Sequence, residues 1–246
     1  MSIPRVIHYC WFGGKPLPPQ AVRCIESWRQ HMPDCEIKQW NETNFDIDML
    51  PYTAEAYRLK KYAFVSDYAR LWILYNHGGI YFDTDVEVVA PLDDILDRGP
   101  FLGLEAPEPT QPEPMIAMGL GMACEPGNAL IKELLDAYEH LHLVSWLGKR
   151  GGTIVETTWP IISRHEATKN ADGTQQRAGF TVYQPEYFCP LNYYTREMNM
   201  TPNTHTIHHY AATWVTSDDS LCAKVHRRMR GIWARLAAKY TKLGKK

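Results

Sequence analysis

The stretch HGGIYFDTDV, residues 77–86, decides how this chain is read. Two glycines precede a short apolar run, and the run ends in two aspartates one residue apart, where a core strand leaves the interior. In an extended strand residues i and i+2 point the same way, so Asp83 and Asp85 are expected to present two carboxylates to one spot. Without a cation between them, each carboxylate raises the pKa of the other. Hard oxygen ligands suit Mg²⁺ or Mn²⁺, which typically take one or two carboxylates and complete their shell with water and phosphate oxygens. In an open α/β sheet the carboxyl ends of the strands form the crevice where ligands bind. The bland alternative is a solvated turn, and a D-x-D met in isolation supports nothing more.

The preceding segment lifts the motif above that alternative. Residues Tyr62 to His77 are apolar around most of the circumference, which predicts a buried helix stopped at Gly78. Ala63, Asp67, Arg70, Leu71 and Leu74 share one face of it. Buried ions cost several kcal/mol each unless they are paired or used. Asp67 and Arg70 therefore either pair with each other at i,i+3 or serve a ligand.

Working outward, IPRVIHYCWF reads as a first strand closed by Gly13 and Gly14, LPPQAVRCIESWRQHMP as a helix, and CEIKQW as a second strand. That is the βαβ rhythm of a mostly parallel sheet flanked by helices. Helices are expected around TAEAYRLKK, PLDDILDRG and GNALIKELLDAYEHL, and strands at GIYF, VEVV and FLGLE. Residues 107–114 read as a Pro-rich loop, and 148–218 as aromatic-rich and irregular. No repeat or linker divides the chain, so the expectation is a single α/β domain over residues 1–218 followed by a basic amphipathic helix over 219–246.

Composition bounds the function classes. The chain has 246 residues, of which 45% are hydrophobic and 12% aromatic, enough for a full core and incompatible with intrinsic disorder. The most apolar run, FVSDYARLWILY, is broken by Asp67 and Arg70, so neither a transmembrane helix nor a secretory segment is expected, and the cytoplasm is the expected location. Cys10, Cys24, Cys35, Cys124, Cys189 and Cys222 form no CxxC pair and read as reduced packing thiols.

The net charge of −2 hides an asymmetry: Leu221 to Lys246 holds nine Lys or Arg and no acid, leaving 17 basic against 28 acidic side chains before it. As a helix this tail aligns Val225, Met229, Ile232, Trp233, Leu236, Tyr240 and Leu243 on one stripe. It reads either as a terminal helix packed on the domain or as an interfacial helix on an anionic membrane surface at the cytoplasmic face. Nucleic acid is not an expected partner, because the body of the chain is acidic and lacks a recognition motif.

The run SDYARLWILYNHGGIYFDTDVEVVAPLDDIL resembles the DXD-containing sugar-transferase family that includes yeast-type initiating mannosyltransferases, bacterial capsular-polysaccharide glycosyltransferases and, more remotely, the clostridial glucosylating toxins. IPRVIHYCWFGGKPLP is similar to that family's first strand and nucleotide loop, and IHHYAATW to its C-terminal His-and-Trp segment; together these cover most of residues 3–96 plus 207–214. The resemblance implies a GT-A-like, Rossmann-like fold and a retaining, metal-dependent glycosyltransferase. Its donor would be a UDP- or GDP-sugar, its cofactor Mn²⁺ or Mg²⁺, and its acceptor a saccharide, lipid-linked if the tail binds membrane, as in capsule or surface-polysaccharide synthesis. It also implies roles: Asp67 and Arg70 bind the donor sugar's hydroxyls, Asp83 touches the ribose and a metal-bound water, and Asp85 ligates the metal. Trp11 stacks on the base, His209 or its neighbour His208 is the third metal-side ligand, and Trp214 contacts the leaving diphosphate. Where relatives often carry a serine before that tryptophan, this chain has Thr213.

A retaining double displacement would require a carboxylate beneath the sugar ring, for which Glu105 and Glu156 are the candidates; a front-face route requires none. Two other classes share a strand followed by D-x-D. A haloacid-dehalogenase-like phosphatase wants Thr or Val two residues after the second aspartate, where this chain has Glu87. A non-catalytic sugar- or metal-binding module would hold the ligand without turnover. The tail makes a separate prediction: vesicles containing anionic lipid should carry the protein upward in flotation, and equal recovery with neutral lipid, or after deletion of 219–246, removes the membrane reading.

Overall fold

A computed structural model describes residues 2–107, 114–143 and 153–211. Trp214, Thr213, Cys222, most of the Pro-rich loop and the expected basic helix over 219–246 lie outside the described residues.

The first half follows the sequence pattern. Strand β1 (Val6–Cys10) leads to helix α1 (Pro19–His31), which opens with proline at its first position, and then to β2 (Glu36–Trp40). Helices α2 (Pro51–Arg58) and α3 (Tyr62–His77) follow, then β3 (Gly79–Tyr81), β4 (Val86–Val88), α4 (Asp93–Asp97) and β5 (Phe101–Gly103). Beyond these come β6 (Met122–Cys124), α5 (Ala129–Asp136) and α6 (Ile154–Ile162). The chain then forms β7 (Ala167–Lys169), β8 (Gln175–Arg177), β9 (Phe180–Tyr183), α7 (Pro185–Phe188) and β10 (Thr206–His208). The expectation of irregular chain over 148–218 is therefore corrected. Strands β7 and β8, ATK and QQR, are short, polar and solvent-facing, so no apolar alternation marks them in the sequence.

The main sheet has the order β2-β1-β3-β6-β5-β9-β8-β7. Six of these eight strands run one way, and only β6 and β8 are reversed, which gives the expected mostly parallel α/β sheet. Both faces are covered. Along β1, β3, β5 and β6 alternate residues enter two separate cores, Ile80 on one side and Tyr81 on the other, Phe101 on one side and Leu102 on the other. Helices α2, α3, α5 and α6 close one face, while α1, α4, α7 and the β4–β10 pair close the other. Coverage on both faces explains why the central strands β3, β5 and β6 read as continuous apolar runs.

The join between α3 and β3 positions everything downstream. Gly78 caps α3 with φ 64°, and Gly79 follows with φ 94°, a backbone region that glycine adopts without a Cβ penalty. A Cβ on Gly79 would also lie 2.7 Å from the Val6 carbonyl oxygen and 3.0 Å from His8 Nε2. His8 is 2% exposed; its Nδ1 accepts from Trp40 Nε1 at 3.1 Å, so its Nε2 carries the proton toward the Gly78 carbonyl, also at 3.1 Å. Burial pushes the imidazole pKa down to about 4, helped by the nearby His77 and Lys38, against the Gly78 bond. The ring is thus a neutral strut that ties β1 to the turn.

Unfolded His8 titrates near 6.5 and folded His8 near 4, so between these values the unfolded chain holds more protons and stability falls as pH falls. Wild type should lose about 3 kcal/mol more than His8→Gln between pH 7 and pH 4 in urea unfolding. The comparison isolates His8 because Asp67, pushed up to about 6 by burial, has the opposite slope over part of this range. Equal losses in the two proteins would mean that His8 is charged in the fold.

Candidate active site

Arg70 is 4% exposed and Asp67 7%, on the face of α3 that meets the sheet. Arg70 Nη2 donates to Asp67 Oδ1 at 3.0 Å, and Nε donates to the Ser66 carbonyl at 3.0 Å. The same guanidinium reaches across to β3's end, with Nη1 3.4 Å from Asp83 Oδ2 and Nη2 3.3 Å from Asp83 Oδ1. Asp67 and Arg70 therefore pair, as the i,i+3 spacing allows, and the pair extends to the first aspartate of the D-x-D. Burial opposes the Arg70 charge, yet Asp83, Tyr81 and Asp67 outweigh it and hold its pKa above the ordinary value. Burial raises the Asp67 carboxyl, with Asp83 adding to the effect and Arg70 opposing it.

The two aspartates do not lie on one strand. Tyr81 ends β3, Val86 begins β4, and Asp83 to Val86 form a turn closed by Val86 N–H donating to the Asp83 carbonyl at 3.0 Å. The juxtaposition expected from strand alternation is thus produced by a turn that carries the chain from the main sheet into the two-stranded one. Helix α1 anchors the far side: Trp28 Nε1 donates to the Val86 carbonyl at 2.7 Å, and Val88 N–H donates to Ser27 Oγ at 2.9 Å.

Strand β10 pairs antiparallel with β4, setting His208 across from Val86. His208 Nε2 lies 3.3 Å from Asp85 Oδ1, the His209 N–H donates to the Asp85 carbonyl at 3.0 Å, and the Ala211 N–H donates to Asp85 Oδ2 at 2.8 Å. One ligand atom each from Asp83, Asp85 and His208 falls within a sphere in which all lie within 4.8 Å of one another. Burial opposes ionisation of Asp85, but the His208 hydrogen bond and charge outweigh it and lower its pKa.

Of the two histidines expected as the third metal-side ligand, His209 lies outside the Asp83–Asp85–His208 group. His209 follows the last residue of β10, and its Nε2 meets Glu87 Oε2 at 2.7 Å while His208 takes the place beside Asp85. Trp11 is half-buried with its Nε1 donating to the Lys15 carbonyl at 2.6 Å, which fixes the indole at the mouth of the β1 loop. Of the two candidate nucleophiles, Glu156 is a helix cap, accepting from Thr153 N–H at 2.7 Å at the start of α6. Glu105 accepts from Tyr210 Oη at 2.7 Å, and the Tyr210 ring lies edge-on to His208 with centroids 4.3 Å apart.

Sequence reading missed Tyr81, whose Oη donates to Asp83 Oδ1 at 3.1 Å and whose ring lies under the Arg70 guanidinium, 4.9 Å from its carbon. The signal was available, since Tyr81 stands two residues before Asp83 in a strand. Residues 18–102 match the family described as glycosyltransferase sugar-binding region containing DXD motif. The matched stretch spans 85 of the 246 residues. It contains Asp67, Arg70, Asp83 and Asp85, while His208 reaches the cluster from outside it.

Inositol phosphoceramide mannosyltransferase 1 of Schizosaccharomyces pombe is 30% identical over 119 residues, 44% of this chain and 35% of the relative. Subversion of eukaryotic traffic protein A of Legionella pneumophila is 25% identical over 169 residues, 58% of this chain and 26% of the relative. The chain thus spans about a third or less of the length of these two relatives. Among solved structures, PaToxG glycosyltransferase overlaps with a TM-score of 0.48 at 19% identity, covering 65% of this chain and 70% of that one.

Removing the shared cation should leave two buried or half-buried carboxylates uncompensated. Arg70→Met is expected to lower stability by about 3–5 kcal/mol in urea unfolding. Adding Asp67→Asn should recover part of the loss, and a double variant no better than the single one would show that Asp67 does not depend on Arg70.

Proposed function

We propose that the chain is a retaining, metal-dependent glycosyltransferase that moves a sugar from a nucleotide diphosphate to a saccharide acceptor. The observation that carries this reading is the junction at Asp83: one carboxylate joins the Arg70–Asp67 pair to the Asp83–Asp85–His208 cluster. The donor set fits a divalent ion. His208 Nδ1 is buried and has no partner among the described residues, Nε2 faces Asp85, and two carboxylates with one imidazole favour Mn²⁺ over the all-oxygen preference of Mg²⁺. Asp83, Asp85 and His208 would hold the ion, which supplies positive charge beside a departing diphosphate.

The chain's own residues do the rest. Arg70, kept cationic at all accessible pH, neutralises Asp83 and with Asp67 orients the donor sugar's hydroxyls. Trp11, with its indole fixed, stacks on the base of a UDP- or GDP-sugar, and the role the family resemblance implies for Trp214 is contact with the leaving diphosphate. Of the two carboxylates a double displacement could use, Glu156 is committed to a helix cap and Glu105 accepts from Tyr210 Oη, which supports a front-face route. Asp83, held by Arg70 and Tyr81, is poorly placed to act as the free nucleophile of a phosphatase. One relative is named for mannosyl transfer to inositol phosphoceramide, which supports a lipid-linked acceptor for this chain as well. Surface-polysaccharide assembly at the cytoplasmic membrane face is the process that fits such an acceptor and the basic tail.

Nucleotide sugars screened by thermal shift with and without Mn²⁺ test the reading directly. A donor at 100 times its Kd should add about 2.7 kcal/mol of stability. Asp85→Ala and His208→Ala should each abolish the Mn²⁺-dependent part, whereas His209→Ala should leave it. A shift that survives in Asp85→Ala, or an absent shift with every donor in wild type, overturns the assignment.

A further inference from the structure

Gly119 lies in the turn before β6, partly open to solvent, and its carbonyl accepts from the Asp83 N–H at 3.2 Å. Its φ lies outside the left-handed region, unlike that of Gly121 at 141°, so its φ alone does not demand glycine. What excludes a side chain is Asp83. A Cβ on Gly119 would lie closer to Asp83 Oδ2 than the 3.0 Å that Cβ atoms essentially never breach, 3.1 Å from Asp83 Cγ and 3.3 Å from Arg70 Nη1. The missing side chain is the space in which the Asp83 carboxylate and the Arg70 guanidinium meet.

We propose that Gly119 is a positioning residue for Asp83, holding its carboxylate between Arg70 and the cation cluster by leaving no atom on the side toward which the carboxylate points. The proposal rests on the function proposed above. Asp83 is a short side chain with two torsions, held by Tyr81 Oη at 3.1 Å and by Arg70 at 3.3 and 3.4 Å, so it cannot yield to a methyl group and keep these bonds. It can yield toward solvent, because its side chain is 31% exposed. The smallest substitution should therefore spare the fold and displace the carboxylate. Loss of support around a metal ligand typically weakens metal binding by about 10- to 100-fold.

Gly119→Ala is the test, with Mn²⁺ affinity read by the electron paramagnetic resonance signal of free Mn²⁺, turnover by hydrolysis of a nucleotide sugar, and folding by thermal melts. The expected result is Mn²⁺ binding weaker by about 10- to 100-fold, turnover reduced to a similar degree and a melt that remains cooperative. Asp83→Ala and Asp83→Ala/Gly119→Ala complete a cycle: with the carboxylate gone, the alanine at position 119 should change affinity, turnover and melting temperature little. Wild-type affinity and turnover in Gly119→Ala, or a loss of equal size in the Asp83→Ala background, overturns the positioning role. If Gly119→Ala fails to fold, a folded double variant supports the proposal and an unfolded one overturns it. A wild type that shows neither saturable Mn²⁺ binding nor hydrolysis overturns the proposed function instead, and the melting temperatures of the cycle then decide the Gly119–Asp83 clash separately.

Discussion

The site depends on one buried positive charge. Arg70 sits where water cannot hydrate it, and it is tolerable there only because two carboxylates, a backbone carbonyl and the face of Tyr81 surround it. The dependence is mutual. Without Arg70, Asp67 would be a buried acid with no cation beside it, and Asp83 would lose the cation that offsets its repulsion with Asp85. A single guanidinium therefore links helix α3 to the turn after β3 and makes the placement of one conditional on the other.

The surrounding fold is arranged to leave that guanidinium no alternative position. The glycine pair after α3 joins helix to strand with no slack, and His8 braces the join from the neighbouring strand. Beyond the turn, α1 grips β4 through Trp28 and Ser27, and β10 lies along the other edge. The aspartates thus stand on a short turn fixed at both ends, between the helix that carries Asp67 and Arg70 and the strand that carries His208.

Much of this was legible from spacing. The pattern of apolar residues located β1, α1, β2, α3 and the strand before the aspartates, because these elements are long or sharply punctuated by glycine and proline. Strand β6 and the β7–β9 meander were not legible; β7 and β8 are short and polar, so no apolar alternation marks them. Asp67, Arg70, Asp83 and Asp85 could be singled out because ions inside an apolar run demand a reason. The choice between His208 and His209 could not be made, since it depends on how β10 pairs with β4, which two adjacent histidines do not display.

The sequence by itself determined which charges would be buried and that they lie a few residues from a D-x-D, because both facts are local in the chain. Only the tertiary structure decided that Arg70 reaches Asp83, that a turn and not a pleat brings the aspartates together, and that His208 joins them. It alone revealed that Gly119, thirty-six positions beyond Asp83, must lack a side chain. Each of these depends on which strands become neighbours, and hydrogen-bond pairing between distant segments leaves no periodicity for a sequence to display.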